Sequence, residues 1–223
     1  MIIPCSPEGF ERPNFNYEKT NDPITGLRRN ASYLKDSLLE LAKGKKFILE
    51  LGLNDGDGST WIFNQAKPDL HIGVDYFPLF KDAPLTVQQE ACKSQKNLQK
   101  TSLGMFYPDN PNFHFVQGNT RRRKTVRKCL KICKDSRPDL FFIDTLHKPD
   151  HLQKELKIWK KMITEQTTLI FHDTMDSFWD GSYECHCQES DLCDVIRGWC
   201  KKNDFSYDFS IKVGRGIGVA KKL

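Results

Sequence analysis

The stretch Phe47-Ile48-Leu49-Glu50-Leu51-Gly52-Leu53-Asn54-Asp55-Gly56-Asp57-Gly58-Ser59-Thr60 leaves the backbone few options. Its first five residues are mostly large and apolar and read as a buried strand, after which three closely spaced glycines allow a sharp bend. Ser59 or Thr60 can then cap the free N–H groups of a helix. A strand, a glycine turn and a helix in this order form a ligand cradle, because glycine lets the backbone come close to a bound molecule. Glu50 stands at the strand's end, where a carboxylate repels a pyrophosphate and suits a cationic amino group or hydroxyls. The dinucleotide reading of a glycine-rich turn therefore loses ground.

The remaining apolar runs repeat the strand signal. Residues 71–74 lead to Asp75, residues 113–117 to Gly118-Asn119, residues 139–143 to Asp144 and residues 167–172 to Asp173. Between them, apolar residues recur every three or four positions in 27–41, in 126–133 (Val126, Cys129, Leu130, Cys133) and in 152–159 (Leu152, Leu156, Trp159), the period of amphipathic helices. Strands alternating with helices predict a doubly wound, mostly parallel sheet. Residues 205–211 and 214–220 read as a terminal hairpin. The expected fold is an α/β, doubly wound, Rossmann-like domain with a mostly parallel seven-stranded sheet and an antiparallel last strand. It spans 27–223 behind an irregular N-terminal arm, 1–26, rich in proline and glycine.

A chain of 223 residues with 38% hydrophobic and 28% charged residues can bury the core such a domain needs. No apolar run reaches membrane-spanning length, and Met1-Ile2-Ile3-Pro4-Cys5 lacks the form of a signal peptide, so a cytoplasmic protein is expected. The net charge of +5 is modest beside 29 acidic side chains and does not call for a nucleic-acid or membrane partner. Arg121-Arg122-Arg123-Lys124 and the cations after it read mainly as solvated helix surface. The eight cysteines read as reduced thiols, since the spacing of Cys185, Cys187, Cys193 and Cys200 matches no standard zinc pattern.

An acid at the tip of the second strand, about 25 residues beyond the first, is where nucleoside-binding α/β folds place the carboxylate that takes both ribose hydroxyls. Asp75 stands there. The run 139–147 ends with Asp144 and His147 exposed, and the next apolar strand ends in His172-Asp173, so neighbouring strands present acids to one place. His172, preceded by apolar residues, reads as a structural histidine.

The glycine turn resembles the first motif of class I S-adenosylmethionine (SAM) dependent methyltransferases: an acid, a glycine and a later glycine pair, matched by Glu50, Gly52, Gly56 and Gly58. The order Phe-Ile-Asp-x-x-His, an amphipathic helix and Ile-Phe-His-Asp-Thr resembles the branch with the cephalosporin-biosynthesis-type and macrolide sugar O-methyltransferases. The resemblance implies SAM held by Glu50, Gly52, Asn54, Gly56, Gly58 and Ser59 at the methionine end, by Asp75 at the ribose and by Asn119 at the adenine edge. It further implies transfer of a methyl group to a hydroxyl of a sugar or other small molecule. His147 would be the base, with Asp144 and Asp173 holding Mg2+ or orienting the acceptor. The partner expected is a small-molecule or carbohydrate acceptor, and a homodimer is compatible. RNA or protein methylation, or a SAM-fold protein without catalysis, are the competing readings.

Overall fold

The structure is a computed structural model that describes residues 32–53, 59–75, 112–134, 136–179, 184–211 and 216–223. The N-terminal arm, Asn54, Gly56 and Gly58 lie outside the described residues, as do the side chains of Cys185 and Cys187. The elements run α1 (Ser32–Ala42), β1 (Phe47–Leu51), α2 (Ser59–Gln65), β2 (Leu70–Asp75), β3 (Phe113–Gln117) and α3 (Arg123–Cys133). They continue with β4 (Leu140–Ile143), α4 (Pro149–Trp159), β5 (Thr168–His172), β6 (Met175–Trp179), β7 (Glu184–Glu189), α5 (Leu192–Asn203), β8 (Phe205–Ile211) and β9 (Ile217–Lys222).

The main sheet has seven strands in the order β3-β2-β1-β4-β5-β9-β8. The first five pair in parallel, while β9 pairs antiparallel with β5 and with β8. This is the α/β architecture expected, and the order reverses between β1 and β4, where ligand crevices of such sheets open. The β6–β7 hairpin forms a separate two-stranded sheet.

Period-two alternation splits the apolar strands into two cores. Leu49, Leu51, Ile72, Val74, Phe141, Ile143, Leu169 and Phe171 face the helices α3, α4 and α5, which bring Val126, Cys129, Leu152, Leu156, Trp159 and Ile196. Ile48, Leu140, Phe142 and Ile170 face the other way, against Leu38 and Ala42 of α1 and Ile62 and Phe63 of α2. Both faces are covered, which is why the central strands carry almost no polar residue. Asp139 pins the entry to β1: its Oδ2 accepts from the backbone N–H of Lys46 at 2.8 Å and of Phe47 at 2.9 Å.

Cys129, Cys133, Cys193 and Cys200 are free and buried. Burial pushes the Cys129 thiol up to about 12, with Cys133 beside it adding to the shift. Burial likewise lifts Cys193 and Cys200 to about 11. At pH 8 a thiol of pKa 12 is thiolate in roughly one molecule in 10,000, so Cys129 is a poor nucleophile. We expect iodoacetamide to leave all four unmodified in native protein at pH 8 and to label them in urea. Peptide mapping that finds Cys129 alkylated without denaturant would contradict this burial.

Candidate functional site

The turn after β1 is held by its neighbours on both sides. Gly52 N–H donates to Val74 O at 2.9 Å, Asp144 N–H donates to Leu51 O at 2.8 Å, and Leu53 N–H donates to Asp75 Oδ2 at 2.8 Å. Gly52 has φ +84°, and a Cβ there would lie 1.7 Å from the carbonyl oxygen of Asp144. Glycine is therefore required twice over, by a left-handed backbone and by contact with the end of β4. The first turn and the acid of β4 are thus in direct contact.

Glu50 lies beneath the turn. Its side chain is fully buried, with one oxygen accepting from the Ser59 hydroxyl and the other 3.1 Å from His71 Nε2. The carboxylate braces the start of α2 and β2 from beneath the turn. Strand alternation placed it on the α2 side, where a buried carboxylate must find donors. Asp75 sits half-buried at the end of β2, and Asn119 follows β3. Asn119 Oδ1 accepts from Arg121 N–H at 2.9 Å, a local turn that opens α3, so its carbonyl is engaged by the backbone.

The ends of β4 and β5 assemble a ring of four side chains. His147 Nε2 lies 3.1 Å from Asp144 Oδ1 and 2.7 Å from Asp173 Oδ2. His172 Nδ1 lies 3.2 Å from Asp144 Oδ1 and 3.0 Å from Asp173 Oδ2. One ligand atom from each residue falls within 4.8 Å of all the others. The sequence reading put His172 in a structural role, and the structure brings it into this ring. Its signal was present in the sequence, an imidazole at a strand end next to an acid, but alternation should send adjacent residues to opposite faces. Asp173 breaks that alternation: its φ of +56° is left-handed, rare for a residue other than glycine, and both His172 and Asp173 reach the ring.

Burial alone would raise both carboxyls, but the imidazoles outweigh it. His172 and His147 hold Asp144 below the usual carboxylate range, and the same pair holds Asp173 well below it. Hydrogen bonds to Asp144 and then Asp173 lift His147 to about 9. Burial opposes charging of His172, yet Asp144 and Asp173 carry it to about 10. With no cation among them, the two carboxylates favour the protonated form of both rings. His147 must shed that proton before it can act as the general base expected of it, so turnover through this ring should climb as the pH rises toward about 9.

A second polar knot, unread in the sequence, lies under the site. Glu155 on α4 is fully buried and accepts from the Thr120 hydroxyl, from Thr145 Oγ1 at 2.8 Å and from His151 Nε2 at 2.8 Å. Trp159 Nε1 donates to Thr120 O at 2.7 Å. Thr145 follows Asp144 and Thr120 follows Asn119, so one carboxyl ties together the two loops that carry these candidates. The clue was that His151 and Glu155 stand on the same helix face as Leu152, Leu156 and Trp159.

With this geometry in hand, the family follows. A family model described as a methyltransferase domain matches residues 49–174, more than half of the chain. The chain belongs to the methyltransferase-domain family. The matched span of this methyltransferase runs from the middle of β1 to just past β5 and contains both the glycine turn and all four residues of the ring. No curated protein matches the sequence significantly.

Solved structures agree in fold. The SAH-bound methyltransferase PaMTH1 of Podospora anserina is 14% identical, with a TM-score of 0.54, over 85% of this methyltransferase and 78% of that chain. A TDP-rhamnose 3'-O-methyltransferase of calicheamicin biosynthesis is 16% identical, with a TM-score of 0.53, over 94% and 88%. A candidate caffeoyl-CoA O-methyltransferase from Staphylococcus aureus gives 16%, 0.53, 85% and 81%. No described helix of the methyltransferase is long and apolar enough to cross a membrane.

Proposed function

We propose that the chain is a SAM-dependent O-methyltransferase that transfers a methyl group to a hydroxyl of a sugar or other small molecule, from a domain spanning 27–223. The observation that carries this reading is the contact of the glycine turn with the end of β4. Gly52 packs on Asp144 O, so a cofactor seated at the turn lies next to the ring of Asp144, His147, His172 and Asp173. The SAH-bound and sugar-modifying neighbours are consistent with this choice.

The residues at the crevice suit a nucleoside. Asp75 offers a carboxylate at the end of β2, where a vicinal diol can donate to it, and Leu53 N–H fixes its Oδ2 at 2.8 Å. Asn119 would offer its side-chain NH2 to the base edge, since its carbonyl is engaged by Arg121. Gly52, Asn54, Gly56, Gly58 and Ser59 would border the methionine end. SAM, when bound, supplies a methyl group on a positively charged sulfur.

The chain's own part is to orient the acceptor hydroxyl and take its proton. His147, with 42% of its side chain exposed, is the member of the ring that an acceptor from solvent meets first, and in its neutral form its ring nitrogen takes the hydroxyl proton as the new C–O bond forms. Asp144 is the more exposed carboxylate, at 27% against 6% for Asp173, and is placed to orient that imidazole. The Mg2+ expected from the resemblance does not fit well, because two of the four converging donors are nitrogen and Mg2+ takes oxygen. No step here depends on it.

Isothermal titration with SAM is expected to show one binding event, with Asp75→Ala weakening it roughly tenfold or more, as loss of a charged hydrogen-bond acceptor would. A panel of sugars, glycans and small alcohols should then reveal methyl transfer that Asp144→Asn abolishes while SAM binding persists. Absence of SAM binding would end the reading, and full activity in Asp144→Asn would remove the role given to that carboxylate.

A further inference from the structure

We infer that Asp144, His147, Asp173 and His172 form a binding site for a nitrogen-accepting first-row divalent ion such as Mn2+, Fe2+, Co2+ or Zn2+, in preference to Mg2+. The four donor atoms alternate around a closed ring, oxygen, nitrogen, oxygen, nitrogen, with edges of 3.1, 2.7, 3.0 and 3.2 Å. An ion with bonds of about 2.1 Å has cis donors about 3.0 Å apart when six-coordinate and about 3.4 Å apart when tetrahedral. The observed edges lie closer to the six-coordinate figure. Four donors around the ion would then leave two positions open, enough for an acceptor hydroxyl and a water.

Ordinary hydrogen bonds have similar lengths, and the orientation of His172 separates the two cases. Its Nδ1 is within 3.0 and 3.2 Å of two carboxylate oxygens, yet it makes no hydrogen bond to either. The side chain is only 11% exposed, so solvent does not readily provide the missing partner. A buried nitrogen that faces two carboxylate oxygens at these distances, off hydrogen-bond geometry, is held there by charge alone, and once the ring is neutral a cation among the three groups satisfies all of them. The left-handed backbone of Asp173 brings both His172 and Asp173 to this place at an energetic cost, as backbone at binding sites commonly does.

The ion class follows from the donors. Imidazole is a good ligand for first-row transition ions and zinc and a poor one for Mg2+, which prefers carboxylate and water oxygens. Half of this donor set is imidazole.

The site is the one used in the methyl-transfer reading, but its test involves neither SAM nor an acceptor. Metal-stripped full-length protein is titrated with Co2+ and, separately, with Mg2+, and the visible absorption of the Co2+ form is recorded. We expect one equivalent of Co2+, ligand-field bands in the visible and a Co2+ affinity well above that for Mg2+. Almost any site favours Co2+ to some degree, so the decisive comparison is with His172→Asp, which should narrow the Co2+ to Mg2+ affinity ratio roughly tenfold or more. His147→Ala, at the exposed rim, should weaken Co2+ while circular dichroism stays unchanged, which covers the case of a His172 variant that fails to fold. Failure to bind Co2+, an unchanged ratio in folded His172→Asp, or full Co2+ affinity in His147→Ala would each overturn the proposal. SAM titration of the same preparation reports independently on the methyltransferase reading, so the two can fail separately.

Discussion

Gly52→Ala is expected to be the most damaging single-methyl change in the described part of the chain, lowering the unfolding free energy by about 4 kcal/mol or more. Two costs combine. The residue has φ +84°, which alanine adopts only with strain, and the added Cβ would lie 1.7 Å from the carbonyl oxygen of Asp144. No rotamer change relieves a collision between backbone and Cβ. The ends of β1 and β4 would have to separate, breaking the Asp144 N–H bond to Leu51 O that now measures 2.8 Å. For a chain of this length, each kcal/mol shifts the melting temperature by about 2–4 °C, so a fall of roughly 8–16 °C is expected. Calorimetry checks it, and SAM titration at low temperature should show binding lost along with the turn. A variant melting within about 2 °C of the unsubstituted protein would show that the β1 turn does not pack on β4 as described.

The second large effect is expected at Glu155. Its carboxyl is fully buried and accepts from Thr120, Thr145 and His151, so Glu155→Ala strands three polar groups inside the protein. Each stranded donor costs about 1–3 kcal/mol, and with partial relaxation a total loss of about 3–5 kcal/mol follows. Glu155→Gln keeps one carbonyl acceptor and the volume, and should lose less. The functional signature differs from that of simple destabilisation. Thr145 adjoins Asp144 and Thr120 adjoins Asn119, so at a temperature where Glu155→Gln is folded, turnover should fall through misplacement of Asp144. Urea unfolding together with kcat and KM measurements distinguishes these effects. Wild-type kcat in folded Glu155→Gln would reduce the residue to a purely structural one.

Much of the architecture was legible because it is written in local patterns. The buried strands are short apolar runs bounded by turn residues, and the helices α3 and α4 carry apolar residues at helical period. The helical period read over 152–159 marks the body of α4 and not its start. α4 begins at Pro149, whose fixed φ and missing N–H suit the first turn of a helix. The candidate site was legible in outline, since Asp144 and Asp173 each close an apolar strand. Its composition was not. His172 lies next to an acid at a strand end, and whether it faces the core or the crevice turns on one left-handed residue, Asp173, which no periodicity announces. The partners of Glu50 were illegible for a related reason: the sequence put an acid at the turn, but its donors, His71 and Ser59, come from two other elements.

The sequence by itself determined the alternation of strands and helices, the glycine bend after β1 and the acids that end β2, β4 and β5, because these depend on side-chain period and backbone freedom over a few residues. Tertiary structure alone decided that β4 and β5 lie side by side, so that side chains 144, 147, 172 and 173 close into one ring. It also decided that Glu50 and Glu155 are internal braces. A buried carboxyl or imidazole takes its role from whichever donors and acceptors the fold brings within about 3 Å, and those partners come from distant parts of the chain.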